Sequence, residues 1–184
     1  MEQQTKKIHI MTAQEVKNII RDVPDFPKKG ILFKDLTTAF INPDCMRWFA
    51  EELTAEYEKK GITKILGIES RGFVIAPIVA NKLNVGFVPI RKKGKLPAEV
   101  IEESYEKEYG LDTIEIHKDA LCEDDIVMIH DDLLATGGTM EAAVRLVKKF
   151  NVKKIYTSFL VELEDLKGRE LFEPEIEVTS LIKC

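Results

Sequence analysis

The sequence predicts an α/β fold in which helices cover both faces of a mostly parallel sheet. From Ile65 onward, short apolar runs of strand length alternate with stretches that repeat apolar residues at helical spacing. No Pro/Gly/Ser-rich linker divides the 184 residues, which are enough for one domain, 1–184, with a real core. Residues 126–143 read as strand, small-residue loop, then helix. That puts a loop at a strand's carboxyl end, where open α/β sheets bind ligands.

Thr12-Ala13-Gln14-Glu15 is a capping box and opens a helix that should run to about Asp22. Asp25-Phe26-Pro27-Lys28-Lys29-Gly30 breaks it, and Ile31 to Phe33 is extended. Asn42-Pro43 starts a second helix, with Asn as the cap and Pro at the first position. It carries Trp48, Phe49, Leu53 and Tyr57 as core residues, and Gly61 ends it. Ile65 to Ile68 is a strand, Gly72 to Leu83 an apolar helix, and Val85 to Ile90 a strand. Residues 91–110 are polar and aperiodic, as in a long mobile loop, and loops of that length are usually functional. Ile114 to His117 is short and extended. Ile126 to Ile129 is a buried strand that stops at two adjacent acids. Met140, Ala143, Val144, Val147 and Phe150 mark a helix, and Lys154 to Val161 another strand. The tail from Leu166 adds a short helix and a last strand near Ile176 to Leu181.

A net charge of −5 argues against a general nucleic-acid binder. Cys45, Cys122 and Cys184 are scattered, odd in number and without metal-ligand spacing. Reduced thiols in a cytoplasmic protein are the expectation. The start, Met1 to Lys7, leads into no long apolar run, so neither a signal peptide nor a membrane span is expected.

The chemistry concentrates in Asp131-Asp132-Leu133-Leu134-Ala135-Thr136-Gly137-Gly138-Thr139. Glycines let backbone N–H groups turn toward an anion, and the start of the next helix adds partial positive charge. The paired acids suit hydroxyls or a metal-bound sugar. A phosphate cradle beside a diol binder describes a site for a ribose 5-phosphate. An ordinary turn with an Asp cap carries about half the weight for the bare pattern. Neither Gly-x-x-x-x-Gly-Lys-Ser/Thr nor Gly-x-Gly-x-x-Gly is present. Glu69-Ser70-Arg71-Gly72-Phe73 lies at a strand-to-helix junction. Arg71 there either binds phosphate oxygens bidentately or is a surface Arg beside an N-cap Ser. Arg91-Lys92-Lys93-Gly94-Lys95 packs four cations into five residues, which reads as a solvated run, a targeting patch or an anion site. Phe33 is equally a core residue or a stacking face. His130 precedes the acids and reads more readily as a core imidazole than as a catalyst.

Taken together, these motifs resemble the type I phosphoribosyltransferase family, in its adenine-specific branch. The nine residues from Asp131 resemble its phosphoribosyl-diphosphate (PRPP) motif. Glu69 to Phe73 resembles its pyrophosphate loop, Arg91 to Pro97 its Arg-Lys-x-Gly-Lys-Leu-Pro segment, and Tyr105 to Gly110 its Tyr-x-x-Glu-Tyr-Gly lid. Asp25 to Asp35 resembles its base-binding segment. The resemblance runs from Asp25 to Gly168, with the motifs in the family's order. It implies a central mostly parallel sheet flanked by helices, a small N-terminal hood, and a flexible lid loop or hairpin over about 91–115.

The implied activity is transfer of 5-phosphoribosyl from PRPP to adenine, giving AMP and pyrophosphate in purine salvage. Mg²⁺ would arrive through PRPP with no direct protein ligand. Asp131, Asp132, Ala135, Thr136, Gly137, Gly138 and Thr139 would hold ribose and the 5′-phosphate. Glu69, Ser70, Arg71, Arg91, Lys92 and Lys95 would face pyrophosphate. Leu32, Phe33 and Lys34 would bind adenine. Glu108, Arg71 and Asp131 would be catalytic, with Glu108 over the base. The resemblance also implies a homodimer and a non-proline cis peptide between Glu69 and Ser70. Lys29, Thr38, Ala76 and Lys107 depart from the family pattern. Two rivals stand beside this reading. One is the same chemistry on hypoxanthine or xanthine. The other is a non-catalytic PRPP sensor or RNA-binding regulator on the same fold.

Overall fold

The computed structural model describes residues 10–107 and 110–184. They fall into two compact units, one reaching Glu52 and the other spanning Leu53–Cys184.

The first unit opens with the expected capping box. Thr12 Oγ1 accepts from the Glu15 N–H, and Glu15 accepts from the Thr12 N–H at 2.8 Å. Helix α1 covers Ala13–Ile19, three residues short of the sequence reading. The chain then turns extended as β1 (Arg21–Pro24), which pairs antiparallel with β2 (Leu32–Asp35). Charges across the pair make the difference. Lys34 reaches Asp22 at 2.6 Å, and Arg21 reaches Asp35 at 2.5 Å. Thr38, where the family favours Pro, donates to the Ile19 carbonyl at 2.7 Å and accepts from the Arg21 N–H at 3.2 Å. Helix α2 is short (Thr37–Phe40), and α3 covers Pro43–Tyr57. Asn42 caps α3 as expected, its Oδ1 accepting from Asp44 and Cys45. Trp48 and Phe49 are buried, as their spacing predicted.

The second unit is built on a seven-stranded sheet in the order β5-β6-β4-β3-β7-β8-β9. Its strands are β3 (Lys64–Ile68), β4 (Gly86–Lys92), β5 (Val100–Lys107), β6 (Gly110–His117), β7 (Ile126–Leu134), β8 (Lys154–Glu162) and β9 (Glu177–Lys183). Five of them, β4 to β9 across the centre, are parallel, and β5–β6 adds an antiparallel edge. Helix α4 (Gly72–Leu83) follows β3, and α5 (Gly138–Lys148) follows β7. The core packs Leu66, Ile68, Val127, Ile129, Phe159, Leu146 and Val147.

Three expectations are corrected here. Residues 100–107, expected as loop, are a strand, and the extended Ile114 to His117 belongs to a longer strand, 110–117, that pairs with it. The edge tolerates their charges because Arg145 of α5 and Lys149 at its C-cap answer them, reaching Glu103 at 2.8 and 2.6 Å. Strand β7 does not stop at the acids, since Asp131 pairs with Phe159 and Leu133 with Val161. The short helix after Leu166 is instead two 3-10 turns, Glu164–Leu166 and Gly168–Leu171, separated by Lys167 at φ +52°.

Candidate active site

The carboxyl ends of β3 and β7 bring two loops together. After Ile68 the Glu69–Ser70 peptide is cis, as the resemblance implied. Arg71 takes the N-cap position of α4. Gly72 follows because there is room for nothing else. A Cβ there would fall 2.6 Å from the His130 carbonyl of β7. This close approach sets Arg71 beside the acids, its Nε 3.0 Å from Asp132 Oδ2.

On β7, the Asp132 carboxylate is buried, with a side chain 2% exposed. Asp131 Oδ1 accepts the Asp132 N–H at 2.9 Å. Burial raises both carboxyls above the usual range. The neighbouring Asp132 charge lifts Asp131 further, and Arg71 draws Asp132 partly back. Such a pair has an unmet demand for positive charge and for hydroxyl donors.

The loop beyond is set by a second close approach. Gly137 has φ +87°, and a Cβ on it would lie 2.6 Å from the Gly168 carbonyl. A Cβ on Gly168 would in turn collide with the Ala135 carbonyl. Two glycines thus let the turn after β8 brace the loop from behind. No side chain caps α5, so its first N–H groups remain available to an anion. A cavity of about 210 Å³ opens there, lined by Ala135 to Thr139 with Arg71, Asp131 and Asp132. A second, of about 410 Å³, is lined by Glu69, Ser70, Arg71, Lys92, Tyr105 and the same two acids. They share Arg71, Asp131, Asp132 and Thr139, so they adjoin over the acid pair.

The basic run divides. Lys92 lines the second cavity. Arg91 is bound to both oxygens of Glu69 at 3.2 Å and to the Lys95 carbonyl at 3.3 Å. Glu69 also accepts the Lys92 N–H at 3.1 Å, and Arg91 holds its carboxyl below the ordinary range. Lys95 is exposed and lines neither cavity. Tyr105 entered the sequence reading only as the first residue of the lid pattern, with no contact assigned to it. Its hydroxyl lies 3.3 Å from both Asp112 and Thr139. Only the β5–β6 pairing, invisible in a local pattern, brings it there. Glu108 lies outside the described residues.

Leu32, Phe33 and Lys34 sit on β2 in the first unit. Phe26 packs edge-on against Phe33 with ring centroids 5.1 Å apart, and Leu32 is 49% exposed.

His130 is fully buried, with Nδ1 2.9 Å from Ser158 Oγ. Burial lowers its pKa from 6.5 to about 3, so the imidazole is neutral. An unfolded chain takes up this proton below pH 6.5, and the folded one does so only near pH 3. The unfolded state therefore binds more protons in that window, and stability falls as pH drops, by up to about 1.4 kcal/mol per unit. Asp131, with a raised pKa, acts in the opposite direction. The expected signal is therefore a difference: His130→Gln should lose less stability than the wild type between pH 6.5 and 4.5. Urea unfolding at the two pH values checks this, and parallel losses would refute it.

A family model described as the phosphoribosyl transferase domain matches residues 40–184. The chain belongs to the adenine phosphoribosyltransferases of that family. An adenine phosphoribosyltransferase of Bacteroides thetaiotaomicron is 57% identical over 94% of this chain and 98% of its own length. The enzyme of Giardia lamblia, solved with 9-deazaadenine, superposes with a TM-score of 0.89 at 44% identity, covering 95% of this chain and 98% of that one. The Saccharomyces cerevisiae enzyme was solved with an imino-altritol bisphosphate and adenine. It gives a TM-score of 0.87 at 41% identity over 92% of this chain and 97% of its own. The sheet described above is thus the type I phosphoribosyltransferase fold. Among the described residues, no helix is long and apolar enough to cross a membrane.

Proposed function

We propose that this chain transfers the 5-phosphoribosyl group of PRPP to adenine, releasing pyrophosphate and AMP, as a purine-salvage enzyme. One observation carries the reading. An acid pair lies where two cavities adjoin, one walled by the start of α5 and the other by Ser70, Arg71 and Lys92. A ribose carrying phosphate at one end and diphosphate at the other needs such an order of groups.

The 5′-phosphate takes the N–H groups of Ala135 to Thr139. The ribose hydroxyls take Asp131 and Asp132. Pyrophosphate takes Ser70, Arg71 and Lys92, with Arg91 and Glu69 acting chiefly on each other and Lys95 reaching in from its exposed turn. As the C1′–O bond to pyrophosphate breaks and the C1′–N9 bond forms, charge leaves with the diphosphate, and fixed cations stabilise it. Among the described residues no group of three or more His, Cys, Asp or Glu could hold a metal. Two acids beside an anion cradle fit Mg²⁺ arriving on PRPP oxygens, since it keeps most of its own waters. Bound there, it would neutralise diphosphate charge.

Adenine recognition is assigned to Phe33 as the stacking face and to the backbone of Leu32 and Lys34. Glu108 is assigned to the base as a proton donor toward N7 while the N9 proton leaves. Glu108→Leu should lower turnover more than PRPP affinity, and Glu108→Gln, which keeps a donor, should be milder. Near wild-type turnover in Glu108→Leu would remove Glu108 from the mechanism. Free Cys45, Cys122 and Cys184 fit a cytoplasmic setting, and likeness to the family supports a homodimer.

The deciding experiment is AMP formation from PRPP and adenine, run beside hypoxanthine, xanthine and guanine. Adenine should be the preferred base by a wide margin. No nucleotide from any base would leave the PRPP-sensor reading, and a preference for hypoxanthine would move the specificity.

A further inference from the structure

Glu115 is a buried carboxylate that accepts from three backbone N–H groups of one turn. It stands on β6 opposite Arg91 of β4 and is 2% exposed. Its Oε2 accepts the Gly94 N–H at 3.0 Å. Its Oε1 accepts those of Lys95 and Leu96, each at 2.8 Å. Gly94, at φ +78°, bends the chain so that the three N–H groups converge. Backbone concavities of this kind bind anions, and here the anion is internal. Burial opposes the Glu115 charge, yet these three donors and Lys93 hold its carboxyl below the ordinary range.

The other end of the segment is held in the same way. Glu69 accepts from the Arg91 guanidinium and from the Lys92 N–H. Arg91 closes the turn by donating to the Lys95 carbonyl. The run Arg91–Leu96, with its four cations, is thus wrapped around two carboxylates. Lys92 lies between them and lines the larger cavity. An apolar residue on β6 would leave three backbone N–H groups without this acceptor, so the carboxylate holds the turn through specific bonds that bulk alone cannot supply. Its value lies in fixing the turn's path.

We propose that Glu115 is a positioning residue for the diphosphate side of the site, holding the Gly94–Leu96 turn so that Lys92 is set toward the leaving pyrophosphate. This rests on the phosphoribosyl-transfer reading. Glu115→Gln keeps the shape but presents an amide N–H₂ where an acceptor is needed. Gly94→Ala disturbs the same turn without touching charge, because the added methyl meets nothing within 4 Å and only the positive φ resists it.

Both variants are tested by steady-state kinetics and by calorimetric titration with pyrophosphate and Mg²⁺. We expect the PRPP KM to rise about tenfold in each, with the adenine KM and kcat changed less than twofold. Pyrophosphate affinity should fall in parallel. Lys92→Ala should weaken pyrophosphate in the wild type and add little in Glu115→Gln. An unchanged PRPP KM and pyrophosphate affinity overturns the proposal. So does an equal rise in both KM values with a lower melting temperature, which marks a structural role alone. If Glu115→Gln does not fold, Gly94→Ala decides by the same criteria. A wild type that binds no pyrophosphate also overturns it. A wild type that binds pyrophosphate but makes no AMP overturns the functional reading, and the titrations still judge Glu115.

Discussion

Replacing Asp131 and Asp132 together by Asn is expected to cut PRPP affinity about a hundredfold while the free protein stays folded. A hydrogen bond to a charged acceptor contributes roughly 1.5–3 kcal/mol, and the variant removes two such acceptors. The two are neighbours, so their contributions will not simply add, and the lower end of their sum is the safer figure. The free protein should not suffer. Both carboxyls have pKa values raised by burial, and Asp131 also by its neighbour. A group whose folded pKa is raised contributes stability below its unfolded value and loses it as pH rises. At pH 7 to 8 the charged pair is therefore a burden on the apo fold, and Asn relieves it. The melting temperature of the double variant should equal or exceed the wild type's, with the margin growing from pH 5 to pH 8. Titration calorimetry with PRPP, beside thermal melts, measures both. Unchanged affinity in the folded variant would end the ribose assignment.

The same segment shows what local sequence reveals and what it hides. Ile126 to Ile129 and Met140 to Phe150 were legible because each pattern is complete in itself, one a run of branched apolar residues and the other a helical repeat. The acids looked like the end of a strand because side-chain polarity is all a sequence shows. Backbone pairing is indifferent to it, and β8 carries β7 on to Leu134. The stretch from Val100 to Gly110 was read as loop for a related reason. Its glutamates are answered by cations remote in sequence, Glu102 by Lys93 and Glu103 by Arg145 and Lys149. Strand β1 was missed outright, since Arg21 and Asp22 find their partners at Asp35 and Lys34 only once the register is set.

For the site, the contiguous motifs were legible and the choice of partners was not. Arg91 and Lys92 are adjacent in a basic run, yet neighbouring positions on a strand face opposite ways. Arg91 meets Glu69, and Lys92 lines the cavity. The role of Gly72 is likewise a matter of packing. Nothing local says that its missing side chain makes way for the His130 carbonyl. Glu115 carries no motif, and the lid pattern that contains Tyr105 does not say what its hydroxyl meets, because both act through the register of the antiparallel edge.

Arg71 faces two demands, and they can be separated. It is the cation beside Asp132, and it lines both cavities. Arg71→Met keeps the apolar stem and removes the charge. Asp132, 2% exposed, then loses the partner that lowers its pKa, while Arg71 itself is 37% exposed. Breaking a fully buried pair costs about 3–5 kcal/mol, and water around Arg71 screens part of this, so a loss of about 2 kcal/mol is expected at pH 8. The loss should shrink toward pH 5, because a raised carboxyl pKa takes away stability as pH rises. Adding Asp132→Asn removes the unpaired charge and should restore most of the stability. It should not restore turnover, because the guanidinium we propose to meet the departing pyrophosphate is still missing. Urea unfolding at pH 5 and 8 and AMP formation in wild type, both single variants and the double variant complete the cycle. Arg71→Met as stable as the wild type at pH 8 would show that the pair does not hold Asp132. Recovery of turnover in the double variant would reduce Arg71 to a counter-ion and return pyrophosphate stabilisation to Lys92 and the Ser70 backbone.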